Sequence, residues 1–318
     1  MRVAGFLFSG ATARASLRQP AWAARRAQME RSGRFRGVNG RLRTRNRTVN
    51  LVGGLMRALL KVTLLHDLSE TRAARLGLTR LDVQLPGLPS LFDGYCLLHL
   101  SDIHLDESNR ALEALHRMLD GMQVDLLVAT GDFADRAGRL PEVAAQEMAS
   151  LAQLLAPRDG VLATLGNHDS WLTAEALEDR GIRVLVNETL VLDREGHQIL
   201  IAGTDDPSYF FDETAIETLS ASGGPQTKIA LVHSPELAGV AADNGFSLYL
   251  SGHTHGGQIR LPILGAPFNM LQQHRDYVKG AWRHGGMLGY TSSGVGTSLA
   301  PLRINCPGEV VLVTLHRA

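Results

Sequence analysis

The chain has 318 residues, of which 44% are hydrophobic and 20% are charged, and this balance excludes a wholly disordered protein. Its two cysteines exclude a disulfide framework, and it contains no uncharged apolar run of about 18 residues, the length of a conventional membrane-spanning helix. The formal net charge of zero combines +11 on residues 1–50 with −11 on the remainder.

Residues 1–50 form a basic arm with twelve arginines and one acid, Glu30. The arm has little apolar periodicity, so we expect it to be disordered on its own. The composition also resembles a transit peptide, and residues 3–8 resemble a short secretory signal. A true start at Met29 or Met56 is a further interpretation. Contact of the arm with nucleic acid or anionic lipid stays open at this point.

Residues 51–77 follow the arm and contain the apolar run LVGGLMRALLKVTLL at 51–65. Arg57 and Lys61 interrupt this run four residues apart, which places both charges on one face of a helix. The run is too short and too charged to cross a bilayer. It is typical of an amphipathic helix in a membrane interface, and equally of a helix packed on the globular body at 78–318.

From residue 80 onward, apolar runs of strand length each end in a short polar cluster. These runs cover residues 95–100, 124–129, 160–165, 228–232 and 246–250. Helical periodicity lies between several of them, at 109–119 and 142–155. The alternation predicts an α/β body, and the unbroken apolar runs predict strands that are covered on both faces.

The polar clusters combine carboxylate, amide and imidazole side chains at the carboxyl ends of the predicted strands, where functional residues of such folds gather. They contain Asp102, His104, Asp132, Asn167, His168, Asp169, His233, His253 and His255. A single cluster is explained as well by turn or capping chemistry. Their joint occurrence after successive strands instead indicates a metal site.

The donor set is a mixture of oxygen and imidazole nitrogen, which suits Mn, Fe or Zn better than Ca or Mg. There are too many donors for one ion, so the pattern predicts two divalent ions with one bridging carboxylate. Two such ions with two aspartates leave a charge of about +2, which would attract a phosphate ester and acidify a bound water.

Five motifs in this order resemble those of the calcineurin-like metallophosphoesterases. They are Asp102-Ile103-His104, Gly131-Asp132-Phe133-Ala134-Asp135, Gly166-Asn167-His168-Asp169, His233-Ser234-Pro235 and Gly252-His253-Thr254-His255-Gly256-Gly257-Gln258. The resemblance spans about residues 80–315, and the last motif is similar to the bacterial branch of YkuE-like and YaeI-like phosphodiesterases. It implies a β-sandwich with helices on both outer faces.

The resemblance also implies a role for each residue. Asp102, His104 and His255 would hold the first ion. Asn167, His233 and His253 would hold the second, and Asp132 would bridge the two. His168 would stabilise the phosphoryl charge or protonate the leaving group. Asp169, where many members carry Glu, would orient His168.

The implied activity is hydrolysis of a phosphodiester or pyrophosphate bond by attack of a metal-bound hydroxide. One alternative is a UDP-2,3-diacylglucosamine-type lipid pyrophosphohydrolase at the membrane surface. Another is a metal-containing binding protein without activity. We expect a cytoplasmic protein that is peripheral on anionic membrane through residues 1–65. Nucleic acid is not an expected partner, because the acidic body offers no continuous basic track.

Two further groups of residues are candidates for a role at the site. Asp205 and Asp206 follow another apolar run, and we interpret them as turn residues. Four arginines are candidate phosphate clamps, of which we expect at most one to touch substrate: Arg260, Arg275, Arg283 and Arg303.

Overall fold

The computed structural model describes residues 14–44, 47–63, 65–105, 110–134, 141–221, 223–267 and 269–318. The helices of this part are α1 Ala15–Arg18, α2 Pro20–Ser32, α3 Arg47–Val62, α4 His66–Ala73, α5 Arg110–Leu119, α6 Pro141–Leu155, α7 Trp171–Glu178, α8 Glu213–Ser220 and α9 Ala238–Asp243. The strands are β1 Arg34–Arg36, β2 Leu42–Thr44, β3 Leu76–Leu85, β4 Tyr95–Leu100, β5 Leu126–Thr130, β6 Val161–Thr164, β7 Arg183–Val184, β8 Glu188–Arg194, β9 His197–Gly203, β10 Lys228–Leu231, β11 Leu248–Ser251, β12 Gly280–His284, β13 Met287–Thr291 and β14 Gly308–Arg317.

Two six-stranded sheets form the body. The first has the order β3-β14-β4-β5-β6-β7, and the second has the order β12-β13-β11-β10-β9-β8. The strands β4 to β7 are parallel, as are β9, β10, β11 and β13. The carboxyl ends of the parallel strands in each sheet therefore lie along one edge of that sheet.

The two sheets pack face to face over a common apolar core. Leu97, Leu126 and Leu162 of the first sheet belong to the same buried cluster as Ile201 and Ile229 of the second. Because side chains alternate across a strand, the neighbours of these residues point to the outer faces. Burial on both faces explains why the strands read as unbroken apolar runs in the sequence.

Helices cover both outer faces, so the predicted helix-flanked sandwich is confirmed. Leu115 of α5 and Met148 of α6 pack on the outer face of the first sheet. Leu219 of α8 and Ala241 of α9 pack on the outer face of the second. The predicted helix at 142–155 is α6, and the described part of the helix predicted at 109–119 is α5. Residue 109 lies outside the described residues.

The arm differs from the disordered segment expected from its composition, because residues 14–44 contain two helices and the β1–β2 hairpin. Helix α2 starts with Pro20 in its first turn and is followed by Gly33 in the left-handed conformation. Its side chains Trp22 and Arg26 are 4% and 1% exposed. Both side chains contact residues of the body, and composition alone does not predict such contacts.

Several arginines of the arm form ion pairs with acids of the body. The pairs are Arg14 with Asp179, Arg18 with Glu178 and Glu188, Arg25 with Asp212, and Arg36 with Glu213. The basic arm and the acidic body are thus complementary surfaces of one molecule. These basic groups of the arm are therefore neutralised by acids of the body within the fold.

Helix α3 confirms the helical interpretation of residues 51–62. Gly53 lies against Leu299, and Arg57 Nε donates to the carbonyl oxygen of Leu299. The opposite side of the helix is open, since Leu55 and Leu59 are each 61% exposed. Within the described ranges, no helix combines the length and the apolar character needed to cross a membrane.

Candidate metal centre

The predicted site residues lie on loops that follow β4, β5, β6, β10 and β11. The first two loops continue the strand pairing, because Asp102 N–H donates to Gly131 O and His104 N–H donates to Asp132 O, both at 3.0 Å. His253 N–H donates to Asp102 Oδ2 at 2.9 Å, which joins the two sheets at the site. The loops of both sheets therefore meet at one edge of the sandwich.

The first group of donor atoms contains Asp102, His104 and His255. The Nε2 atoms of the two histidines are 3.1 Å apart. Asp102 Oδ1 is 3.9 Å from His104 Nε2 and 3.6 Å from His255 Nε2. All three residues are buried, and their donor atoms are close enough to share one ion.

The second group of donor atoms contains Asn167, His233 and His253. Asn167 Oδ1 is 2.8 Å from His253 Nδ1 and 3.2 Å from His233 Nε2. The two imidazole nitrogens are themselves 3.2 Å apart. The family resemblance implied that these same three residues hold one ion, and the structure brings them together.

Asp132 lies between the two groups. Its Oδ2 atom is 3.5 Å from His104 Nε2 of the first group and 3.3 Å from His233 Nε2 of the second. It is 2% exposed. One carboxylate therefore faces both groups, as a bridging ligand would.

The chemistry of these donors fits metal ions. His233 Nδ1 lies 2.7 Å from the carbonyl oxygen of Thr130, so Nδ1 carries a proton and Nε2 is the atom that faces the site. The facing atoms are carboxylate oxygens, an amide oxygen and imidazole nitrogens. Such lone pairs repel one another unless a cation or a shared proton lies between them.

The electrostatics of the site favour the neutral, metal-binding form of two imidazoles, those of His253 and His255. Burial, together with the charge of His233, lowers the pKa of His253 to about 3. Burial also holds the pKa of His255 well below its usual range, and His104 adds to the shift. Neutral imidazole is the form that binds a metal. Burial opposes the charge of His233, but a neighbouring carboxylate raises the pKa of His233 well above its usual range, and a cation at Nε2 would take the place of that proton. Burial raises the pKa of Asp102 to about 6, and binding of a cation would oppose that shift.

The backbone of the site adopts conformations that ordinary residues avoid. Five predicted ligands have positive φ, with values of 46–72°: Asp102, His104, Asp132, His253 and His255. Such residues cluster at functional sites, where the surrounding structure holds the strain. A side chain at Gly166 would collide with the Asp132 carboxylate, and one at Gly252 would collide with that of Asp102. These glycines are required for the close approach of the loops.

Asp169 binds the backbone of two loops of the site. Its Oδ2 accepts from the backbone N–H groups of Asp132 and Gly166, both at 2.8 Å, and its Oδ1 accepts from Phe133 N–H at 2.9 Å. Both carboxylate oxygens are thus engaged by backbone donors. The geometry makes Asp169 a positioning residue that ties the Asp132 loop to the Asn167 loop.

His168 lies beside the donor groups without belonging to either of them. Its ring is 5.0 Å from the ring of His104, and the residue is partly exposed. Its backbone N–H donates to Asp132 Oδ1 at 2.8 Å. A partly exposed imidazole next to two groups of donor atoms can contact a bound phosphate.

Arg26 is a site-supporting residue that sequence reasoning missed. Its Nη2 atom donates to the carbonyl oxygens of Gly166 at 2.9 Å and of Asp169 at 2.8 Å. It also forms an ion pair with Asp205, and its guanidinium lies 3.7 Å from the ring centroid of Phe210. The only signal in the sequence is its position on the apolar face of α2.

Two further candidates, Asp206 and Arg303, are engaged in contacts within the fold. Asp206 accepts from the N–H groups of Ser208 and Tyr209, as a turn residue does. Arg303 is buried and donates to the carbonyl oxygens of Ser293 and Gly294. It therefore supports the loop between β13 and β14 and is not an exposed phosphate clamp.

Asp135 of the second motif lies outside the described residues.

Comparison with known proteins gives consistent matches. The sequence profile of the calcineurin-like phosphoesterases matches residues 97–257. The metallophosphoesterase YkoQ of Bacillus subtilis is 31% identical over 232 residues, which cover 70% of this chain and 82% of that protein. YkuE of the same organism, also named a metallophosphoesterase, is 32% identical over 242 residues, covering 72% and 81%. Phosphodiesterase YaeI of Escherichia coli is 34% identical over 198 residues, covering 60% and 70%.

Proposed function

The chain belongs to the calcineurin-like phosphoesterase family, and from this membership we propose that it hydrolyses a phosphodiester or pyrophosphate bond with two divalent ions. The observation that carries the proposal is the position of Asp132, whose carboxylate faces both groups of donor atoms. A single-ion site would not need a carboxylate shared between two clusters of imidazoles.

The ligand roles follow from the two groups. Asp102, His104 and His255 would hold the first ion, and Asn167, His233 and His253 the second, with Asp132 between them. The mixed oxygen and nitrogen donors suit Mn, Fe or Zn. When bound, the two ions would activate a water and neutralise the phosphate charge.

His168 would act on the substrate and not on the ions. It lies beside His104 and is partly exposed, so its ring can reach a phosphate held at the site. As an imidazolium it would donate a hydrogen bond to a phosphoryl oxygen or a proton to the leaving oxygen. Asp169 would support this step indirectly by fixing the loop that carries His168.

Helix α3 is the basis for proposing a peripheral location on cytoplasmic membrane surfaces. Its exposed leucines and the exposed Lys61 combine apolar and basic character, as interfacial helices do. A lipid-linked substrate, for example a UDP-diacylglucosamine-type pyrophosphate, would reach an enzyme held there. An inactive binding protein is the weaker alternative, because every donor predicted for two ions is present.

The test is hydrolysis by the purified full-length protein with Mn²⁺, Fe²⁺ or Zn²⁺ added separately. The panel contains bis(4-nitrophenyl) phosphate, a lipid pyrophosphate and a single-stranded oligonucleotide. We expect turnover of the diester, with two metal ions per chain by elemental analysis. A protein that binds metal but turns over none of these substrates would favour the binding-protein alternative.

A further inference from the structure

We propose that an arginine pocket beside the metal centre binds a second phosphate group of the substrate. The preferred substrates would then be phosphodiesters or pyrophosphates that carry a phosphate beyond the one cleaved. This inference rests on the proposed function and narrows its substrate class. The arginine pocket is a cavity of about 600 Å³ lined by Asn39, Arg41, Asn269, Met270, Leu271, Gln272 and Arg275.

The charge of the pocket is positive. Arg41 and Arg275 line it, Arg43 stands at its edge on the same hairpin, and none of its lining residues is acidic. Among the described residues, no carboxylate lies within ion-pair distance of these three arginines. Four other arginines of the arm do have such partners: Arg14, Arg18, Arg25 and Arg36. Arginines left without acids in a cavity suit phosphate, which guanidinium groups bind with paired hydrogen bonds.

Two neutral neighbours hold Arg43 in place, and its charge acts on the buried Glu236 only from beyond ion-pair distance. Its guanidinium lies 5.0 Å from the ring centroid of Tyr209. With its amide oxygen turned towards Arg43, Gln272 accepts from Nε at 2.6 Å and donates to Asn39 Oδ1 at 3.0 Å. A preorganised guanidinium loses little conformational entropy when a ligand binds.

Two short series of contacts connect the arginine pocket to the metal centre. In the first, the backbone N–H of Gln272 donates at 2.9 Å to Glu236, which follows His233 in the same loop. In the second, Val38 N–H, next to the lining residue Asn39, donates to Pro207 O at 2.9 Å, and the residue after Pro207, Ser208, has its Oγ 3.5 Å from His253 Nε2. One extended substrate could therefore span both sites.

The arginines of the pocket lie outside the part of the chain that defines the family. The profile of the family covers residues 97–257, whereas Arg41, Arg43 and Arg275 all lie outside it. The metal centre would bind the phosphate that is cleaved, and the arginine pocket would bind the second phosphate of the same substrate.

A matched pair of substrates tests the inference. Thymidine 5′-(4-nitrophenyl phosphate) and its 3′-phosphorylated form differ only in the distal phosphate. We expect the wild type to have about tenfold higher kcat/KM for the phosphorylated form, because several charge pairs of modest strength act together. The variant R41A/R43A/R275A should lose this preference and keep its turnover of the unphosphorylated ester. Arg36→Ala, on the same hairpin but paired with Glu213, should keep the preference.

Calorimetry extends the test to conditions without turnover. Metal-loaded wild type should bind thymidine 3′,5′-bisphosphate about tenfold more tightly than thymidine 5′-monophosphate, and the difference should shrink with added salt. The triple variant should bind both alike. The proposal is wrong if the wild type shows no preference for the compound with the second phosphate, or if the triple variant retains that preference. Failure of every variant to hydrolyse either ester contradicts the proposed function instead, and calorimetry still decides the pocket.

Discussion

Arg26 donates a hydrogen bond from its guanidinium to the carbonyl oxygen of Asp169 at 2.8 Å, although the two residues are 143 positions apart in the chain. The bond joins a helix of the basic arm to the loop that carries Asn167 and His168. Arg26 is 1% exposed, so this contact is shielded from water. The arm is therefore a structural support of the metal centre.

The variant Arg26→Met should lower the free energy of unfolding by about 3 kcal/mol or more, because it leaves Asp205 buried without its partner. The loosened Asn167 loop should also bind metal more weakly. Thermal denaturation and metal titration measure the two effects. The neighbouring Arg25→Ala, which removes a partly exposed ion pair, should cost about 1 kcal/mol or less. Equal effects of the two substitutions would contradict the supporting role.

Asp132→Asn should lose metal and activity together, because the bridging charge stabilises two cations at short range. The amide keeps the size of the side chain, so the fold should persist. Elemental analysis and turnover of bis(4-nitrophenyl) phosphate provide the measurements. Asp193→Asn, on the exposed end of β8, serves as the control. An Asp132→Asn protein with two ions per chain and full turnover would show that this residue is not the bridge.

His168→Ala should lower kcat by about 10²-fold or more while the metal content stays that of the wild type. The reason is that His168 stands outside both groups of donor atoms and faces the substrate position. His197→Ala, in the β8–β9 hairpin, controls for loss of a surface histidine. Loss of metal from the His168→Ala protein would make His168 a ligand.

Glu236→Gln should stabilise the protein at alkaline pH. Burial raises the pKa of Glu236 from 4.5 to about 7 in the folded state, so the folded protein binds this proton more tightly than the unfolded chain. The resulting stabilisation is complete below pH 4.5 and is lost as the pH rises through 7. Glutamine still accepts the hydrogen bond from Gln272 and carries no charge.

Melting temperatures without added metal should therefore coincide near pH 4.5 and separate by pH 8, where the variant gains about 1–3 kcal/mol. Glu217→Gln, on the exposed side of α8, should show no such separation. The same difference in melting temperature at both pH values would argue against burial as the cause.

Helix α3 should attach the full-length protein to anionic vesicles. Its exposed leucines gain apolar burial in the interface, and the exposed Lys61 adds about 1 kcal/mol near an anionic surface. The variant Leu55→Glu/Leu59→Glu should sediment with vesicles much less than the wild type. Val191→Glu changes an exposed residue of β8 and should sediment normally. Hydrolysis of a small soluble diester should be the same in all three proteins, and equal sedimentation would remove α3 as the contact.

The strands and the donor groups were predictable because their signals are local. An unbroken apolar run such as Tyr95–Leu100 defines a strand buried on both faces, and the polar residues that follow must emerge at its end. The arrangement of five such ends at one edge then follows from the parallel pairing of the strands. The family resemblance assigned each donor to one ion, which position along the chain cannot do.

The arm and the role of Asp169 were not predictable in this way. Pro20 and Gly33 do mark the ends of α2 in the sequence. Whether that helix packs depends on Arg26 meeting Asp205, 179 residues away. The bonds of Asp169 depend similarly on the close approach of Gly131 and Gly166, which only the folded loops create.

The position of β14 has a consequence for the order in which the protein can assemble. This strand, Gly308–Arg317, pairs with β3 on one side and with β4 on the other. During synthesis, β3 and β4 leave the ribosome more than two hundred residues before the strand that must lie between them. The first sheet therefore cannot form completely before β14 has been synthesised. The loop after β4 reaches its final position only when the neighbouring loops are in place. Folding of the metal centre then has to await the synthesis of β14, and until that point the growing chain must keep the exposed edges of β3 and β4 from pairing with other strands.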